Sequence, residues 1–149
     1  MKRFTFRLQT KLDITVKQEK LARQELADRQ REYQRQVARL QELQQKLEAL
    51  FAKVRGKNLQ VITIDEVLLV NQYVPVMKDR ISCQTERVAR AETEMGQARE
   101  HLHQLMKERK ALEKLRVKAW EKYRLEFLQQ EQAGLDEVAM TRYWKRSHQ

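Results

Sequence analysis

Glycine, proline and cysteine are nearly missing from this chain of 149 residues, which has three Gly, one Pro and one Cys. With 35% charged residues besides, this composition fits long helices better than a compact domain. The single Cys83 rules out an intrachain disulfide and is compatible with a reducing compartment. Aromatics make up only 7% of the residues and are scattered, so they offer no stacking platform for single-stranded nucleic acid. No segment approaches the roughly 20 apolar residues of a membrane span. The basic start, Met1-Lys2-Arg3-Phe4-Thr5-Phe6-Arg7, leads into no apolar run of signal-peptide length, so a cytoplasmic, soluble protein is expected.

The chemistry of catalysis is equally thin. His101 and His103 lie two residues apart and turn to opposite sides of a helix, and Cys83 is distant, so no zinc site is expected. There is no glycine-rich phosphate loop, no nucleophile with its base and no isolated carboxylate pair in an apolar setting. The sequence therefore predicts no enzyme, no cofactor and no metal.

Present instead are two hydrophobic stripes at alternating steps of four and three. The first comprises Leu8, Leu12, Thr15, Glu19, Ala22, Leu26, Arg29, Tyr33, Gln36, Leu40, Leu43, Leu47, Leu50 and Val54. The second comprises Ile81, Gln84, Val88, Ala91, Met95, Ala98, Leu102, Leu105, Arg109, Leu112, Arg116, Ala119, Tyr123 and Glu126. A mean spacing of about 3.5 residues is the heptad signature of supercoiling helices, each about 70 Å long here at about 1.5 Å per residue. The stripes are too narrow for the wide apolar face of a globular helix. The fold expected is all-α, a long two-helix antiparallel coiled-coil hairpin with a short helical segment at the turn. Its parts are a first helix over about 5–55, a linker and short helix over about 56–74, a second helix over about 76–132 and a tail over about 134–149.

The linker supplies the punctuation. Gly56 suits a helix stop, and Thr63-Ile64-Asp65-Glu66 is a capping box, with Ile62 and Val67 placed as a hydrophobic staple. Pro75 should end or kink the short helix. That helix is unusually apolar, with Val67, Leu68, Leu69, Val70, Tyr73 and Val74. Either these residues close the open end of the coiled coil or some of them form an exposed docking surface. Glu19, Arg29, Arg109, Arg116 and Glu126 sit at seam positions, where charge costs stability but can fix register. End-to-end pairing places Leu12 opposite Tyr123, Ala22 opposite Leu112, Tyr33 opposite Leu102, Leu40 opposite Met95, Leu47 opposite Val88, and Glu19 opposite Arg116.

Charge is uneven. Residues 1–57 carry 15 Lys/Arg against 7 Asp/Glu, and residues 58–149 carry 16 against 14, which together give the net +10. Such a surface attracts acidic partners, or simply keeps an elongated protein soluble.

The stretch Phe4-Thr5-Phe6-Arg7-Leu8-Gln9 resembles the N-terminus of the FliJ family of bacterial flagellar export proteins. So does the stretch from Leu112-Glu113-Lys114-Leu115 through Tyr123 and Glu131-Gln132 to Leu135-Asp136-Glu137-Val138-Ala139. Central Asn71-Gln72-Tyr73-Val74, with Met77 and Ile81, is similar to the family's aromatic-plus-aliphatic signature. The resemblance covers essentially the whole chain, and Pro75 departs from a position that is usually helical in the family.

The resemblance implies a small cytoplasmic component of the flagellar type III export apparatus, similar to the coiled-coil part of a rotary ATPase gamma stalk. It implies binding to the hexameric export ATPase, promotion of ring assembly, contact with the cytoplasmic domain of the export gate, and recycling of export chaperones. It also implies peripheral association with the inner membrane at the flagellar base and a monomer when unbound, with no nucleic acid bound. Phe4, Phe6, Leu8, Leu125, Phe127 and Leu128 become the ATPase-contact candidates. Tyr73 and Met77, with Leu43 and Leu47 of the first helix, become the gate-binding candidates, although Leu43 and Leu47 also have ordinary places in the seam. A basic coiled-coil module that binds nucleic acid and a scaffold that oligomerises through its stripes are the alternative readings.

Overall fold

A computed structural model describes residues 2–57 and 63–148. Two helices account for nearly all of them: α1, Gln9–Lys57, and α2, Ile64–Ser147. They form an antiparallel helical hairpin, with no strand among the described residues. The chain divides into two compact units, one of Met1–Glu19 with Gln104–Gln149 and one of Lys20–His103. In each unit a length of α1 packs along a length of α2.

The heptad stripe is the packed face. All fourteen predicted positions of the first stripe are buried or half-buried. Twelve of the fourteen in the second are covered as well, the exceptions being Arg116 and Glu126. Phe127 is half-buried where the spacing had placed Glu126. The reason is local. The residues before Gln9 are not helical, and the Phe4 ring packs on Trp120 and Tyr123, so the covered face of α2 runs on through Phe127.

Helix α2 begins at Ile64, directly after Thr63, as the capping box predicts, and the Thr63 carbonyl accepts a hydrogen bond from Val67 N–H at 3.3 Å. Asp65 and Glu66 in its first turn and Lys145 and Arg146 in its last both complement the helix dipole. The staple expected between Ile62 and Val67 involves a residue outside those described.

Four boundaries differ from expectation, the first being the start of α1, which lies at Gln9 and not near residue 5 because the residues before it pack as non-helical chain against α2. Gly56 does not stop α1, which continues to Lys57, and no described residue has a left-handed backbone. Gly134 lies inside α2, because one glycine costs only about 1 kcal/mol against alanine and good helix formers flank it. Pro75 neither ends nor divides the second helix: the segment read as a separate short helix, the long helix and the tail are all α2. Proline removes one rung of the hydrogen-bond ladder, at a cost of about 3 kcal/mol. The seam carries the helix past this gap. Val70, Val74, Met77, Ile81 and Gln84 keep the step of four and three without a skip, and Met77 is only 1% exposed.

The earlier start of α2 also resets the register. Glu19 meets Arg109, one heptad before the expected Arg116. In the other unit Arg29 Nη1 donates to Glu94 at 2.8 Å, and Gln84 Nε2 donates to the Gln36 carbonyl at 2.9 Å and to Gln36 Oε1 at 2.7 Å. Reading a linker and separate short helix over about 56–74, with the second stripe opening at Ile81, had shifted these expected partners toward higher numbers along α2.

Replacing Pro75 with Ala restores the missing donor and should raise stability by up to about 3 kcal/mol, read as a higher urea midpoint at unchanged slope. Gln36→Cys with Gln84→Cys, in a Cys83→Ser background, should oxidise readily to an intramolecular disulfide. The same Gln36→Cys paired with Ala91→Cys, one heptad away, should not.

Candidate partner-binding surfaces

The first unit ends in an aromatic cluster. The residues before α1 lie against α2, with the Phe4 ring 5.1 Å from Trp120 at 78° and 5.4 Å from Tyr123. Trp120 and Tyr123 stack at 5.7 Å, and Tyr123 and Phe127 at 6.3 Å. Tyr123 Oη donates to the Lys2 carbonyl at 3.0 Å, tying down the start of the chain. Phe6 hands the chain into α1, its carbonyl accepting from Gln9 N–H at 3.1 Å, and the Leu8 carbonyl accepts from Leu12 N–H at 3.0 Å.

Phe4, Phe6, Leu8 and Phe127 are therefore half-buried, with Phe4 and Phe127 part of the cluster. Leu125 and Leu128 are different: they are 61% and 49% exposed and free to meet another molecule. From Leu128 to His148 every residue of α2 and its end is exposed, including Leu135, Val138, Tyr143 and Trp144. Trp120 was overlooked in the sequence. Its signal was available, since Trp120 and Phe127 flank the seam residue Tyr123 at minus three and plus four, on the same face of a helix.

Deeper in this unit, Glu19 lies in the seam and accepts from Arg109 Nε, while Arg109 Nη1 reaches Glu113 at 3.0 Å. The hydrogen bonds that Arg109 donates, to Glu19 first and Glu113 next, hold the guanidinium above its usual pKa. Thr15, also buried, donates to the Lys11 carbonyl at 2.9 Å. No described buried side chain is left without a hydrogen-bond partner.

The second unit presents a contrasting surface at the start of α2. Ile64, Val67, Leu68, Leu69, Tyr73 and Val76 are all exposed. Of the gate-binding candidates, Tyr73 belongs to this surface, Leu43 and Leu47 are half-buried in the seam, and Met77 is a core residue. The structure thus separates Tyr73 from Met77: the seam takes Val70, Val74 and Met77, and Tyr73, one residue before Val74, falls to the side of it. Val67 and Val70 also line a small apolar hollow with Leu50 and Val54 of α1.

Among the described residues no group of three or more His, Cys, Asp or Glu is placed to hold a metal ion. No helix among them is long and apolar enough to cross a membrane. What the arrangement offers is surface: an aromatic end followed by an unpartnered helix in one unit, and an apolar start of α2 in the other.

A family profile described as flagellar FliJ protein matches residues 4–148, nearly the whole chain. The chain belongs to the FliJ family. Membership makes it a component of the flagellar export apparatus. No curated protein and no solved structure matches it significantly. The FliJ match begins at Phe4 and so includes the aromatic cluster as well as the apolar start of α2.

Phe4→Ala should release the cluster, with a loss of about 0.5–1.5 kcal/mol for each aromatic pair broken. In a Trp144→Phe background, which leaves Trp120 as the one tryptophan, its fluorescence should shift to the red.

Proposed function

We propose that this FliJ-family protein is a non-enzymatic stalk of the flagellar export apparatus. It binds the export ATPase ring through the part of the hairpin built from both chain termini, promotes ring assembly or activity, and links the ring to the export gate. The observation that carries this reading is the family match over residues 4–148, joined to the unpartnered, wholly exposed run of α2 after Phe127. A two-helix seam supports it mechanically, because a hairpin transmits position along its length and needs no chemistry of its own.

Within the reading, Leu125 and Leu128 are the primary ATPase contacts, because their side chains are already at the surface. Phe4, Phe6, Leu8 and Phe127 shape that surface from beneath. Tyr73 leads the gate-binding surface, with the exposed leucines at the start of α2 around it. Met77, Leu43 and Leu47 act there through the packing that holds the helix face in place. The protein works in the cytoplasm at the inner-membrane base of the flagellum, and export chaperones are further partners.

Titrating the cognate export ATPase with this protein should give saturable stimulation and more hexamer. Leu125→Asp with Leu128→Asp should abolish both effects while leaving helix content unchanged by circular dichroism. Tyr73→Ala should keep the stimulation and weaken binding to the cytoplasmic domain of the gate. An ATPase indifferent to micromolar wild-type protein would remove the stalk role.

A further inference from the structure

In the Lys20–His103 unit the two flanks of the seam are chemically unlike. Along one flank α1 presents Arg35, Arg39, Glu42 and Lys46, and α2 presents Val76, Arg80, Cys83 and Arg87. Both rows step by four, three and four. The Gln36–Gln84 contact lays them side by side in opposite directions. The other flank, Val37, Gln41, Gln44 and Glu48 against Lys78, Ser82, Thr85 and Ala89, has one charge of each sign.

That first flank is an open groove of about 830 Å³. Five cations line it against two carboxylates, Glu42 and Asp79. Local pairing takes up part of this charge: Arg35 pairs with Glu32 at 2.7 Å and Lys46 with Glu42 at 3.2 Å. Arg39, Arg80 and Arg87 have no ion-pair partner among the described residues. The floor between them is apolar and partly small, with Ala38, Leu43, Val76 and Cys83.

We propose that this groove binds an acidic amphipathic helix of a protein partner, which packs as a third helix against the hairpin. Helical spacing in both walls fits a helix lying along the groove, where side chains at steps of three and four meet the walls at each turn. Ala38 and Cys83 let a backbone approach closely, Leu43 and Val76 take apolar anchors, and the three free guanidiniums receive carboxylates bidentately. A groove three helical steps long engages about three turns of the incoming helix. The groove shares Leu43 and Val76 with the proposed gate side, but its test contains neither ATPase nor gate and so can fail independently of the stalk reading.

Cys83 is exposed in this groove and is the one cysteine of the chain, so it reports occupancy directly. The full-length protein is alkylated with iodoacetamide alone, with a synthetic helical peptide bearing Leu on one face and Glu on the other, and with the same peptide bearing Lys for Glu. The acidic peptide should slow alkylation about tenfold at saturation by excluding reagent from the thiol. That protection should fade as salt rises from about 0.05 M to about 0.5 M. The Lys peptide should give none. Combining Arg39→Glu, Arg80→Glu and Arg87→Glu should abolish protection by the acidic peptide and create it for the Lys peptide. An unchanged rate with saturating acidic peptide overturns the proposal, as does equal protection by both peptides. Protection by single-stranded DNA as strong as that by the acidic peptide overturns it too, making the groove a general polyanion surface.

Discussion

Two helices joined along a single seam have no core to tell them how far along one another to lie. A heptad stripe of Leu and Ala packs nearly as well after a slide of seven residues, so the register has to come from elsewhere. Here it comes from polar groups in or beside the seam. Glu19 and Arg109 find each other in one unit, and Gln36 and Gln84 do so in the other. Each is covered enough that a slide would strand a carboxylate or an amide without a partner, and a stranded buried group costs far more than a displaced leucine. Which residues of α2 lie opposite which residues of α1 is set by these few contacts.

The seam was readable because its signal is repeated many times over, and occasional errors in the pattern do not shift a period. Its phase held across α1 without exception, and across α2 until the chain start intervened at Phe4. Single-residue signals fared differently. Thr63 and Glu66 marked the start of α2 because a cap acts locally. Pro75 misled because its penalty is local while the packing of Val74, Met77 and Ile81 that outweighs it is tertiary. The error then propagated: a turn placed too late gave Glu19 the wrong arginine. The partner-binding candidates came from the family resemblance alone, and the structure puts Leu125 and Leu128 at the surface and Met77 in the core, because a residue's identity does not state on which side of a seam it falls.

Inside and outside are divided with unusual economy in this chain. The inside is one row of side chains per helix, and almost everything else is available for contact. Exposed apolar groups gather at the start of α2 and beyond Phe127, free cations gather on one flank, and the opposite flank is neutral. A protein of the FliJ family, built into an export apparatus, can therefore vary its contacts residue by residue at little risk to its fold, since most contact residues carry no packing duty.

Pro75 bears on a different property, the way the hairpin opens. Having no N–H, it leaves the Asn71 carbonyl without its helical donor. Unwinding that enters α2 at Ile64 meets this missing rung before it reaches Met77, the most deeply buried side chain described. The stretch ahead of the proline has few covered residues and so melts as a block, while Met77 and Gln84 act as a stopper behind it. The helix thus has a built-in breakpoint, and fraying there takes off a fixed length of chain while the pairing beyond Met77 keeps its register.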